Sequence, residues 1–112
     1  MIKFLFSLLF YIYVILFNNV QLSLADEVDL DAGEQIFSQN CTACHAGGQN
    51  VLVSDRTLEK GALEYYKMND VDKIIYQVTN GKNSMPAFGD RLSSQDVENV
   101  ANFVLDKAYK GW

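Results

Sequence analysis

The sequence predicts a small all-α domain of about four short helices. Apolar residues recur at spacings of three and four in segments that begin at capping residues, which is the pattern of helices with one buried face. No segment alternates apolar and polar residues as a half-buried strand does. The 112 residues suffice for one domain only, because compact domains usually run from about 50 to 250 residues.

Residues 1–25 differ in composition from the rest and are predicted to be a cleaved signal peptide. Lys3 is their only charged residue, an apolar run FLFSLLFYIYVILF follows it, and Ser23 and Ala25 offer the small residues that a signal peptidase reads. A membrane anchor is the alternative, but the fourteen residues of that run reach about 21 Å as a helix, less than a hydrocarbon core of about 30 Å. The functional domain is therefore predicted to be residues 26–112.

The first two predicted helices of this domain lie on either side of a cysteine cluster in the sequence. Asp31 and Glu34 form a possible capping pair, and Ile36 and Phe37 give the following helix an apolar side that leads into the cysteines. A second helix is predicted from Thr57 to Met68.

The last two helices have the clearest boundaries. Asn69 and Asp72 are predicted to cap the third, and Gly81 is placed to end it. Ser93 and Asp96 open the fourth as a capping box. The apolar stripe of this fourth helix consists of Val97, Val100, Ala101, Val104 and Ala108.

The chain is acidic, with nine Lys and Arg against fourteen Asp and Glu, a net charge of −5 that becomes −6 when Lys3 leaves with the leader. Nucleic acid is bound by basic surfaces, so no nucleic-acid partner is expected. A domain this small gains only marginal stability from a hydrophobic core alone, so a bound cofactor would be a useful addition.

The stretch CTACH holds both cysteines of the chain, Cys41 and Cys44, and its only histidine, His45. Zinc needs four ligands, and no further Cys or His completes the shell. A thioredoxin-like redox pair belongs beside a parallel sheet, and a structural disulfide here would close too small a loop to stabilise much. Covalent haem uses all three residues, because two thiols add to the vinyl groups and the next imidazole binds iron. We predict one haem c per chain, attached through Cys41 and Cys44, with His45 as an axial ligand.

The sixth position of the iron then decides the chemistry. An open position favours gas binding or peroxide chemistry, whereas a strong protein ligand leaves only electron exchange. Met1 leaves with the leader, and Met68 lies at a helix end, where methionine ordinarily fills a core. Met85 lies in the turn-rich loop NGKNSMPAFGD, and Pro86 favours extended backbone before it. We predict Met85 as the second axial ligand, the alternative being a loop methionine that covers apolar surface.

These residues resemble the soluble class I cytochromes c and, within them, the cytochrome c6 group. DLDAGEQIFSQNCTACHAGGQN is similar to the first helix and haem site of the group, YQVTNGKNSMPAFGDRL to its methionine loop and NVANFVLDKAYKGW to its last helix. The resemblance covers essentially all of residues 26–112. It implies the small class I cytochrome c fold, with about four helices wrapped around one covalently attached haem.

The resemblance also implies an electron carrier and not an enzyme. Members of the group take single electrons from the cytochrome f subunit of the cytochrome b6f complex and deliver them to photosystem I through transient contacts. Gln77 matches a glutamine that tunes the potential and Arg91 an arginine that engages photosystem I, with ordinary surface roles as the alternatives. We expect a monomer in the thylakoid lumen of a plastid (chloroplast) or of a cyanobacterium.

Three other functions stay open at this point. A different class I cytochrome c could donate electrons to a terminal oxidase or reductase. A small haem peroxidase would need a vacant sixth position, with Met85 displaced. A disulfide protein without haem would show no haemochrome spectrum.

Overall fold

The computed structural model describes residues 1–18 and 27–112. Its helices are α1 (Ile2–Asn18), α2 (Leu30–Asn40), α3 (Thr42–His45), α4 (Lys60–Tyr65), α5 (Val71–Asn80) and α6 (Ser94–Lys110), with a 3₁₀ turn at Ala46–Gly48. The described residues form no strand, only an isolated antiparallel bridge between Lys82 and Met85. The predicted all-α class is confirmed.

The apolar run of the predicted leader forms α1, whose side chains up to Leu16 are exposed. Across the two described ranges, no helix combines the length and apolar character needed to cross a membrane, and α1 has 17 residues. The predicted cleavage after Ala25 lies outside the described residues.

Helix α2 begins earlier than the sequence predicted. Asp29 is its N-cap and accepts a hydrogen bond from the backbone N–H of Ala32 at 3.0 Å, whereas Asp31 lies in the first turn. The expected cap at Asp31 with Glu34 is therefore wrong. A contact remote in sequence explains the choice, because the backbone N–H of Asp29 also donates to Oδ1 of Asn99 at 3.0 Å and is thereby tied to α6.

Helix α4 is shorter at both ends than the predicted segment from Thr57 to Met68. Leu58 belongs to the preceding loop, where its N–H donates to the carbonyl of Gly48 at 2.7 Å. At the other end, Lys67 takes a left-handed conformation with φ 56°, and Met68 N–H donates back to the carbonyl of Leu63 at 2.7 Å. This pattern ends a helix in the way that a terminal glycine usually does.

The predicted boundaries of the last two helices agree closely with the structure. Asp70 caps α5 by accepting from the N–H of Asp72 at 2.8 Å, one residue from the predicted cap, and Gly81 ends the helix. Ser93 and Asp96 form the predicted capping box of α6. All five residues of the predicted apolar stripe on α6 are buried.

The core lies where α2 and α5 pack against α6. Gly33 permits the close approach of α2, because a Cβ atom at this position would lie 2.3 Å from the carbonyl oxygen of Asn99. Asn99, the buried polar residue here, accepts hydrogen bonds from Asp29 and from the Gln95 side chain, so its burial is compensated. The helix that precedes the cysteines is thus fixed to the helix that ends the chain.

Candidate haem site

The CTACH segment forms a tight helical turn directly after α2. Cys41 is the C-cap of α2, and its N–H donates to the carbonyl of Phe37 at 2.9 Å. The N–H groups of Cys44 and His45 both donate to the carbonyl of Cys41, at 3.2 and 2.8 Å. The two thiols and the imidazole are therefore presented from one turn, and all three residues are half-buried.

The imidazole of His45 is oriented by a backbone carbonyl. Its Nδ1 lies 2.9 Å from the carbonyl oxygen of Gln49. A carbonyl oxygen can only accept, so Nδ1 carries the hydrogen and Nε2 keeps its lone pair. Metal-ligating histidines are commonly held in this way, with the second nitrogen donating to a carbonyl. The hydrogen bond leaves the lone pair of His45 Nε2 available for a metal.

Cys41 does not have the character of a redox-active thiol. Cys41 and Cys44 are both free thiols, so the structure contains no disulfide between them. Burial raises the pKa of the Cys41 thiol to about 11, which keeps it protonated at physiological pH. A reactive thiolate instead needs a lowered pKa. Cys41 packs against the hydrophobic core, an apolar setting suited to a thioether and a porphyrin edge.

Met85 lies in the loop that follows α5, half-buried, and packs against the same core cluster as Cys41. Its backbone exchanges two hydrogen bonds with Lys82, N–H to carbonyl in each direction, at 2.9 and 3.0 Å. The side-chain amide of Gln77 on α5 donates to its Sδ atom at 3.5 Å. The loop backbone and the α5 amide thus fix both ends of the methionine.

This set of donors fits haem and does not fit zinc. Within the described ranges, no three His, Cys, Asp or Glu side chains are grouped so that they could hold a metal ion by themselves. One imidazole nitrogen and one thioether would serve as two iron ligands and two thiols as attachment points, and a porphyrin would supply the four remaining donors. The site is consistent with the predicted cofactor.

Two further residues were singled out from the sequence, and they lie in different settings. The side-chain amide of Gln77 contacts the methionine sulfur. Arg91 is exposed, and its guanidinium lies 5.3 Å from the ring centre of Phe88. In the part of the chain that the structure describes, no carboxylate forms an ion pair with Arg91.

Sequence reasoning did not identify Gln49 or Asn99. Gln49 acts through its backbone carbonyl, which every residue possesses, so no side-chain pattern could have indicated it. Asn99 did carry a signal, because it is a polar residue between Val97 and Val100 of the apolar stripe. A polar residue next to such a stripe indicates either exposure or a buried hydrogen bond.

Comparison with known proteins gives consistent matches. Residues 28–104 match the family described as cytochrome c oxidase, cbb3-type, subunit III. The chain is 60% identical over 95 residues to cytochrome c6 of Gracilaria tenuistipitata var. liui, covering 85% of this chain and 86% of the relative. It is 59% identical over 85 residues to cytochrome c6 of Petalonia fascia, covering 76% of this chain and 100% of the relative.

The fold is also that of solved cytochrome c6 structures. Cytochrome c6 from the diatom Phaeodactylum tricornutum superimposes with a TM-score of 0.73 at 57% sequence identity, covering 75% of this chain and 99% of that chain. Other relatives with the same name come from further algae and from a Synechococcus strain.

The matches determine the class of function. Cytochromes of this kind bind haem c and carry electrons in photosynthesis, and they are not enzymes. The matched region includes the CTACH turn, the methionine loop and most of α6. The chain belongs to the cytochrome c6 family of class I c-type cytochromes.

Proposed function

We propose that His45 and Met85 are the two axial ligands of a haem held covalently by Cys41 and Cys44. The support is the pair of hydrogen bonds that orient the two ligands, from His45 Nδ1 to the Gln49 carbonyl and from Gln77 to the Met85 sulfur. Bound haem supplies a one-electron couple between ferric and ferrous iron. The chain supplies two retained ligands and an apolar wall, and no acid or base is needed.

Gln77 should raise the midpoint potential through Met85. Its N–H donation draws electron density from the thioether sulfur, which weakens the ligand more for ferric than for ferrous iron. We expect Gln77→Leu to lower the midpoint in a redox titration of the purified holoprotein. Gln95→Leu is a matched control, because the Gln95 amide donates to Asn99 at 3.0 Å instead. An equal shift in both variants would contradict a specific effect on the sulfur.

We propose that the protein shuttles single electrons from cytochrome f of the cytochrome b6f complex to photosystem I. The names of the relatives support this assignment. Exposed apolar side chains beside the cysteine turn also support it, because Val51, Leu52 and Val53 are exposed by 68%, 60% and 44%, and the N–H of Val51 donates to the carbonyl of Cys44. Small, partly apolar contacts are typical of transient redox complexes, and the proposed carrier acts as a monomer.

One observation favours a second candidate function. The matched family is described as a subunit of a cbb3-type cytochrome c oxidase. The same fold could therefore donate electrons to a terminal oxidase or reductase.

Electron delivery to isolated acceptors separates the two functions. We expect the reduced holoprotein to be oxidised rapidly by flash-activated photosystem I and only slowly by a terminal oxidase. The rate should change with ionic strength, because charges act mainly on the association step. Rapid oxidation by the oxidase with none by photosystem I would establish the second candidate instead.

We further propose that residues 1–25 are removed and that residues 26–112 act in the thylakoid lumen of a plastid or a cyanobacterium. The α1 segment has the apolar composition of an export signal, and the relatives come from algae and cyanobacteria. We expect the mass of the protein purified from its source to equal that of residues 26–112 plus one haem. A mass that includes α1 would support an uncleaved anchor.

A further inference from the structure

We propose that Trp112, the last residue of the sequence, is a positioning residue for the iron ligand His45. It acts by fixing the loop whose Gln49 carbonyl accepts the His45 Nδ1 hydrogen. This inference rests on the proposed role of His45 as an axial ligand.

The indole of Trp112 is itself firmly held. Its ring centre lies 5.2 Å from that of Phe37 and 6.1 Å from that of Phe103, and it packs against the hydrophobic core. Phe37 and Phe103 come from α2 and α6 and also contact each other, with ring centres 5.4 Å apart. Trp112 is therefore anchored to the packed helices α2 and α6. A segment that contacts the indole is positioned by it.

The loop that follows CTACH rests on this indole at two points. Gly48 is buried against the face of the ring, because a Cβ atom at Gly48 would lie 2.5–2.6 Å from three indole atoms. The indole Nε1–H donates to the carbonyl of Leu58 at 2.9 Å. The N–H of Leu58 in turn donates to the carbonyl of Gly48 at 2.7 Å. Trp112 thus contacts both ends of the loop, Gly48 and Leu58, where these two residues are hydrogen-bonded to each other.

Gln49 follows directly after this fixed point. Its N–H donates to the carbonyl of Ala46 at 3.2 Å, and its carbonyl oxygen lies 2.9 Å from Nδ1 of His45. A shift of the Gly48 peptide would move the Gln49 carbonyl with it, because the two residues are adjacent in the chain. The position of the indole therefore determines the length of the His45 hydrogen bond.

The hydrogen bond matters for the electron carrier because it tunes the ligand. Donation from Nδ1 makes the imidazole a stronger electron donor through Nε2, which favours ferric iron. Loosening the loop should weaken that donation. The midpoint potential should then rise and the Nδ1 proton should exchange faster with solvent. A tryptophan that only filled the core would change stability and leave both quantities unaltered.

Trp112→Phe is the decisive variant, because it keeps a ring on Gly48 and removes the donor to Leu58. We expect proton exchange at Nδ1 of His45, measured by NMR on the reduced holoprotein, to be about fivefold faster than in the wild type, the factor that one ordinary hydrogen bond represents. We also expect a higher midpoint. Trp112→Ala, if it retains haem, should change both quantities further in the same direction.

Leu105→Ala is the matched control. Leu105 also packs against the core from α6, but it lines a groove with Val28 and Leu30 and, among the described residues, makes no hydrogen bond to the 46–58 loop. This variant should lose stability without changing the exchange rate or the midpoint. The proposal is overturned if Trp112→Phe matches the wild type in both, or if Leu105→Ala changes them equally. If the wild type shows no iron-bound His45, the ligand assignment itself fails.

Discussion

Replacing Met85 by alanine is expected to lower the midpoint potential and to abolish the weak absorption band near the red end of the ferric spectrum. A thioether is a soft ligand that favours ferrous iron, so its loss removes the stabilisation of the reduced state. The shift should be on the order of 0.1 V or more, within the range of about 0.8 V over which axial ligands set haem potentials. Redox titration and absorption spectroscopy of the holoprotein measure both effects.

Met68→Ala separates ligation from the mere loss of a methionine. Met68 is also half-buried, but its N–H bonds to Leu63 at the end of α4. This variant should be less stable and should keep the band and the potential. Met85→Ala should also gain peroxide turnover, because it opens the sixth position. A Met85→Ala protein with an unchanged spectrum would refute the ligand assignment.

Gly33→Ala is expected to cause the largest loss of stability. The added Cβ would lie 2.3 Å from the carbonyl oxygen and 2.8 Å from the carbonyl carbon of Asn99, which are backbone atoms that cannot rotate away. Helices α2 and α6 would have to separate, which would also strain the Asp29–Asn99 hydrogen bond. We expect a loss of about 3 kcal/mol in the free energy of unfolding, typical of severe overpacking. Thermal unfolding should show a fall in Tm of roughly 12–24 °C.

Gly61→Ala is expected to stabilise the protein, in contrast to Gly33→Ala. Gly61 lies inside α4, and no heavy atom falls within 4 Å of an added Cβ. Alanine there should raise the free energy of unfolding by about 0.5–1 kcal/mol, because glycine loses more conformational freedom on folding. Similar effects of the two substitutions would show that helix propensity, and not the helix crossing, determines the outcome at Gly33.

A helix boundary was predicted well where nearby residues fix it and poorly where distant contacts or an unusual backbone conformation fix it. The capping box at Ser93 and Asp96 is local, so the sequence located the start of α6 correctly. The start of α2 depends on Asn99, which is 70 residues away from Asp29 in the chain. The end of α4 depends on a lysine in a left-handed conformation, a role that glycine usually fills. Asp29 and Asp31 are both local capping candidates, so local patterns could not decide between them, and no local pattern marks Lys67 as left-handed.

The candidate site also combines residues that local patterns reveal with groups that only the folded structure brings together. Cys41, Cys44 and His45 are recognisable because their spacing alone carries the chemistry, and Met85 because it was the one methionine in a loop before proline. The groups that orient these residues come from elsewhere, namely a backbone carbonyl at Gln49 and an amide on α5. The Gln49 carbonyl has no signature in the sequence, because every residue possesses one, whereas Gln77 was singled out only through the resemblance to the cytochrome c6 group.

The pairing of α2 with α6 joins opposite ends of the domain. A chain that lacks the 17-residue helix α6 therefore has no surface against which α2 can pack. The segment that carries the two cysteines therefore depends for its packing on the helix that lies farthest from it in the sequence of the domain.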